Sequence, residues 1–373
     1  MRTLAPYQLF FPLGILNALV AVGVWFVQNL GWFEIPVILI HSKLIVGGFL
    51  WSFITGFLMT ALPRMSGTPG ANRFEYFLAS ALLLGQTAFS FQVDARYFYA
   101  NQALLVLFLI AYGGRRLLNL TKPIPIFFSH MGIAMTLALT GCCYHFIGNS
   151  FMGIHLYHVG TTLLLVLGIG TRFFSFLSGL PSAFENNTAL GPRFLFHCSG
   201  VLMGLLLFLA GCGIAMSYLG LTALSLVYLF KMWQIQRPSN RSSALKYGVR
   251  IVAAMIPLSF FLAWIQPIMF VTWFHLLFIG CFGLITFAVA TRVTLAHGSY
   301  SVDLEIQSPA LWCLVFFLVL GVIFRILYGF AEGLWKVSFL HLAATFWILA
   351  VGSWCWTFLP RIFRPGPQAK PSC

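Results

Sequence analysis

The stretch His275–Gly298, HLLFIGCFGLITFAVATRVTLAHG, decides the fold. From its opening histidine to Thr291 it holds no acid, lysine or arginine, and then it closes on Arg292. An uninterrupted apolar run of this kind is long enough to cross a hydrocarbon core as an α-helix. The layout occurs once more, 120 positions earlier and without a gap. His155-Leu156, Gly160, Leu164 and Thr171-Arg172 repeat as His275-Leu276, Gly280, Leu284 and Thr291-Arg292. Two looser copies run from His41 to Pro63-Arg64 and from His341-Leu342 to Pro360-Arg361. The sequence therefore holds four candidate spans that open on histidine and close on arginine.

Composition places the rest of the chain in the same class. The 373 residues are 60% apolar and only 8% charged, whereas charged residues make up about a quarter of a soluble domain. Apolar runs recur end to end and predict an all-α, polytopic membrane bundle of about twelve helices. They lie near 8–30, 35–62, 74–92, 97–113, 124–148, 151–171, 193–212, 215–232, 246–267, 272–291, 309–330 and 337–359. Residues 1–362 read as one integral-membrane domain, and the Pro-rich 363–373 as a disordered cytoplasmic tail. The first run lacks a convincing small-x-small cleavage site and is long enough to remain a span.

The net charge of +14 would suggest nucleic acid in a soluble protein, but its placement argues against that. The N-terminus, the even-numbered loops and the C-terminus hold 17 of the 21 Lys and Arg. Arg115, Arg116 and Lys122 share one such loop, and Lys231, Arg237, Arg241, Lys246 and Arg250 another. The odd-numbered loops hold only Arg96 and Lys336. By the positive-inside rule both termini are cytoplasmic, and the basic residues face anionic lipid. The eight cysteines form no C-x-x-C pair and sit mostly in apolar runs, which speaks against disulfides or thiolate zinc. Of the seven acids, Glu34, Glu75, Asp94, Glu185, Asp303, Glu305 and Glu332, none lies mid-span. A transporter with a carboxylate proton relay is disfavoured accordingly.

With that topology the even-numbered spans run inward. His41, His155, His158, His275 and His341 then fall in first turns, and His145 joins them at the outer end of the fifth span. Six of nine histidines share one level, roughly 5–10 Å below the outer surface by helix rise. Imidazoles at that depth must be paired or face the bundle interior. Gly48, Ser52, Gly56 and Thr60 form a small-residue ladder at i+4, the mark of a tight helix interface. His41, seven residues before Gly48, lies on the same stripe. His155 and His158, three apart, share a face and can reach one site. Neutral imidazoles without carboxylates favour haem or copper over magnesium or calcium. Lys43 and Arg325, the charges within spans, suit haem propionates or another anion; the competing reading is snorkelling to the interface. His297 lies beyond the Arg292 boundary, with no assigned role.

Two segments then carry a resemblance. Gly56-Phe57-Leu58-Met59-Thr60-Ala61-Leu62-Pro63 resembles the G-F-L-L-T-A-V-P segment of NnrS proteins. Thr291-Arg292-Val293-Thr294-Leu295-Ala296-His297-Gly298 resembles their T-R-x-x-L-G-H-T-G segment. The resemblance implies a twelve-span bacterial inner-membrane protein with haem and copper, associated with denitrification and with relief of nitric oxide stress. The family's second span usually reads H-x-H-E before Gly-Phe; here it reads His41-Ser42-Lys43-Leu44 before Gly48-Phe49. Lysine and leucine thus replace one histidine and the glutamate. One rival is a haem-copper-oxidase-like nitric oxide reductase, but its adjacent histidines in the seventh span and H-x-H in the tenth are missing. Others are a membrane carrier of metal, haem or a small solute, for which parallel repeats are suited, and a bundle whose histidines only join helices.

Overall fold

The computed structural model describes residues 4–28, 36–123, 125–180, 190–238, 242–364 and 366. Glu34, Glu185, Arg241, Cys373 and most of the expected tail lie outside the described residues. Among the described residues all regular structure is helical.

Helices stand at each of the twelve places where the apolar runs predict one. They are α1 (Pro6–Phe26), α2 (Val37–Ser66), α3 (Arg73–Phe89), α4 (Ala95–Leu117), α5 (Phe128–Phe146) and α6 (Ser150–Ser178). They continue as α7 (Leu190–Gly211), α8 (Met216–Tyr228), α9 (Ala244–Ile265), α10 (Pro267–Gly298), α11 (Pro309–Phe330) and α12 (Gly333–Phe363). Among the described residues nine are long and apolar enough to cross a membrane; α3, α5 and α8 are not among the nine. The chain is a multi-pass membrane protein.

The helix ends differ from the expected ones in an informative way. The second, sixth and tenth spans, expected to stop at 62, 171 and 291, run on to Ser66, Ser178 and Gly298. Thr171-Arg172 and Thr291-Arg292 therefore lie inside helices, not at loop entrances. What ends α2 and α6 is glycine: Gly67 and Gly179 take the left-handed conformation, with φ of +70° and +67°, which costs a residue without Cβ little. At the starts, Asn72 caps α3 in a reciprocal box with Glu75, and Asp94 accepts from the Arg96 backbone at the head of α4. The Arg96 side chain also donates to Asp94 and holds that exposed carboxyl below its usual range.

The α-helical ladder is also interrupted. Wider π turns occupy Leu44–Leu50 in α2, Ile154–Gly160 in α6 and Leu276–Gly283 in α10. A fourth, Leu229–Trp233, continues α8. Three of the four histidine-opened spans thus carry a π turn at or just after the histidine, while α12 is α-helical throughout.

The chain forms two compact units. The first comprises 1–124, 286–317 and 340–373, the second 125–285 and 318–339. In the first, the small-residue ladder of α2 packs on α1. A Cβ on Gly48 would lie 2.7 Å from the Asn17 side chain, and one on Gly56 would lie 3.0 Å from Phe11. Thr60, the last rung, accepts from the Tyr7 backbone N–H at 3.1 Å. A buried pair, Arg116 with Glu75 at 3.0 Å, joins α3 to α4. In the second unit glycines again set the approach. Gly141 abuts the Tyr157 backbone and Gly170 the Trp233 ring.

Candidate metal centre

Three of the histidines that open repeats share a hydrogen-bonding device. In α6, His155 Nδ1 is 2.8 Å from the Phe151 carbonyl one turn back. In α10, His275 Nδ1 stands in the same relation to Val271, at 2.6 Å. In α2, His41 Nδ1 is 2.7 Å from the Ala21 carbonyl on α1. A carbonyl oxygen only accepts, so each Nδ1 carries the proton and each neutral ring keeps its lone pair on Nε2. Anchoring one nitrogen on a carbonyl fixes tautomer and ring orientation, as metal-binding histidines require. The π turns beside these residues belong to a class of distortion frequent at functional sites.

The second unit brings several candidates into one neighbourhood. His155 is fully buried in an aromatic box of Phe151, Phe270 and Phe274, and its Nε2 accepts from the Tyr218 hydroxyl at 2.6 Å. Phe274 immediately precedes His275, and Phe270 lies one turn before Phe274. On the opposite flank of that segment lies α11, where Val322 meets Gly280 and Gly329 meets Thr272. Positions 322, 325 and 329 share one helix face, so Arg325 belongs to the face turned to the His275 segment. Its guanidinium covers the Tyr328 ring at 4.6 Å. Arg325 Nη1 is buried with no hydrogen-bond partner among the described residues.

His158 does not share a site with His155, as their spacing on a regular helix would suggest. The wider π turn separates the two. His158 Nδ1 instead lies 3.3 Å from Nε2 of His145, at the end of α5. Gly153 makes the room, since a Cβ there would lie 2.3 Å from the His145 ring. Two nitrogens bound to one tetrahedral ion at about 2.0 Å each are about 3.3 Å apart, so the pair fits two corners of a copper or zinc site. Among the described residues no group of three or more His, Cys, Asp or Glu gathers as a metal-holding cluster. Haem is less demanding, because its iron takes one or two axial ligands from the protein. The anchored histidines and the orphaned Arg325 nitrogen thus fit a haem and its propionates.

In the first unit His41 lies beside the Trp25 ring, and half-buried His341 lies against Phe26 at 5.2 Å. Lys43 is buried, and its ammonium donates to the Gln92 carbonyl at 3.1 Å. It meets the need of a buried cation through the backbone, so Arg325 is the better match to an anionic group. Two cysteines adjacent in sequence diverge, Cys142 being buried and Cys143 exposed.

His130 is absent from the sequence-based set. It is fully buried, its ring 4.2 Å from that of Phe196, and neither ring nitrogen has a hydrogen-bond partner among the described residues. Gly168 and Gly200 close on it from two sides. Glycines on two other spans are the signal that could have marked it.

The segments that carry the family resemblance have structural roles. Gly56 and Thr60 seat α1. Thr291 Oγ1 accepts from the Trp354 indole at 2.8 Å, and Arg292 pairs with Glu305 at 3.1 Å. His297 packs on Tyr7 with ring centroids 5.6 Å apart. A family model described as NnrS protein matches residues 3–365, nearly the whole chain. No curated protein matches the chain at a significant level.

Proposed function

Because the chain belongs to the NnrS family, we propose that it is a haem- and copper-binding protein of the bacterial inner membrane that relieves nitric oxide stress. The observation that carries this reading is the shared anchoring of His41, His155 and His275. Each donates from Nδ1 to a carbonyl and so holds its lone pair on Nε2, the form a metal takes. These three are the axial-ligand candidates, and His341 completes the repeated set. At His155 the Tyr218 hydroxyl must give up its hydrogen bond before the ring can ligate. His145 and His158 are the copper candidates. Arg325, and less directly Lys43, supply positive charge for propionates. When bound, haem iron supplies a position at which a diatomic gas coordinates. The protein orients the imidazoles, keeps water away with aromatic walls, and admits an uncharged gas from the bilayer.

The test is an absorption spectrum with metal analysis of the purified protein. The reading predicts a Soret band and bound copper, with copper lost in His158→Ala while the Soret band stays. A colourless protein without copper that still protects cells from nitric oxide contradicts it.

A further inference from the structure

A cavity of about 690 Å³ opens in the first unit beside the last turn of α2, at Pro63-Arg64. The metal reading uses none of its residues. Both segments that carry the family resemblance reach it: Met59, Thr60 and Pro63 from the first, His297 from the second. Arg64, Thr68, Tyr76 and Lys122 complete the polar lining, and no aspartate or glutamate lines it.

The charge balance is one-sided. Arg64 and Lys122 are both exposed, and neither has a carboxylate partner among the described residues. Lys122 Nζ donates to the Arg64 carbonyl at 3.4 Å, which keeps the ammonium at the mouth. Glu75, one residue before Tyr76, is engaged by Arg116 at 3.0 Å and Arg115 at 3.7 Å and so does not offset the two cations. Two of the lining groups are fixed by hydrogen bonds. Tyr76 is tied by its hydroxyl to the Leu4 carbonyl at 2.5 Å, and Thr60 is tied to Tyr7. The turn beneath Lys122 is closed on Gly67, where a Cβ would collide with Thr121. The volume falls within the range of small-molecule sites, about 300–1,000 Å³, and exceeds what a bare inorganic ion needs.

We propose that this cavity binds a small organic anion bearing a phosphate or carboxylate, held by Arg64 and Lys122 with His297 as a further polar contact. Arginine and lysine at the mouth of a pocket without carboxylates are the recognition chemistry for such groups. The anion comes either from solution or from an anionic lipid headgroup, on the side the positive-inside rule assigns to the cytoplasm. This inference is independent of the metal reading, since neither Arg64 nor Lys122 belongs to the histidine set.

The probe is sn-glycerol 3-phosphate, titrated calorimetrically into the full-length protein in phosphatidylcholine nanodiscs, with glycerol as the uncharged control. Saturable binding of the phosphate alone is expected. It should weaken on the order of tenfold in the Arg64→Gln, Lys122→Gln double variant, the loss of one charge-assisted contact or more. Both side chains are exposed, so the double variant should keep the unliganded unfolding midpoint. Should it misfold, the wild-type salt dependence serves instead, because binding through these two cations must weaken as ionic strength rises. Doping the nanodiscs with phosphatidylglycerol separates the sources. Suppression of the titration identifies a lipid headgroup as occupant, and an unchanged titration identifies a soluble anion. Absence of saturable binding in the phosphatidylcholine nanodiscs overturns the proposal. So does equal binding by the double variant, or binding insensitive to salt.

Discussion

The segments 155–172 and 275–292 share a sequence frame, and their two ends behave differently. At the histidine end both open on a ring whose Nδ1 donates to the carbonyl four residues back, and both enter a π turn. At the other end the threonines still agree: Thr171 Oγ1 lies 2.9 Å from the Tyr228 hydroxyl, and Thr291 accepts from Trp354. The arginines do not. Arg172 is exposed, whereas Arg292 is largely buried against Glu305, their side chains 13% and 3% exposed. A repeated frame fixes what a helix does to itself, and the surroundings decide the rest. The position two residues before the histidine makes the same point. Gly153 admits the His145 ring, while its counterpart Trp273 packs on Phe330.

The arginine contrast predicts the largest effect. Arg292→Gln strands the buried Glu305 carboxylate and should destabilise the protein by about 3–5 kcal/mol. Arg172→Gln should fall within about 0.5 kcal/mol. Unfolding midpoints of the two variants in one detergent measure the gap, and equal losses would erase the distinction. Next is Gly153→Ala. Its methyl must displace the His145 ring, at a cost of about 1–3 kcal/mol, and should lower copper content as the His145–His158 pair separates. Gly132→Ala, with open space at its Cβ, is the neutral control. The smallest effect belongs to the π-turn glycines. A Cβ on Gly280 meets the flexible Met255 thioether, and one on Gly160 meets Leu137 and the His155 carbonyl. Gly160→Ala should therefore be the costlier of the two, by about 1 kcal/mol. The reverse order would show that the turns differ more than their sequences do.

Much of this was legible in the sequence, for particular reasons. Apolar runs placed the long helices, nine of which among the described residues can cross a membrane, because a spanning segment has little freedom in composition. The ladder Gly48, Ser52, Gly56, Thr60 marked the face that receives α1, since only small residues allow that approach. The π turns were not legible, because one extra residue in a turn leaves the apolar pattern intact; Gly47-Gly48 was the available hint. For the same reason His155 and His158 were expected on one site, and the structure turns them to different partners. The pairing of His145 with His158 depends on the three-residue connection after Phe146 and on Gly153, and neither carries a pattern that names the partner ring. The burial of Arg292 was hidden because its partner Glu305 lies in a segment expected to be loop, where the short helix Asp303–Gln307 brings it into reach.

The central claim is that imidazoles anchored through Nδ1 hold a haem through Nε2. It is tested most directly by the Soret spectrum and haem-to-protein ratio of His41→Ala, His155→Ala and His275→Ala, each purified as folded protein. The account predicts that at least one substitution removes or shifts the Soret band while the unfolding midpoint stays near that of the wild type. Three variants with wild-type Soret bands and full haem would contradict it.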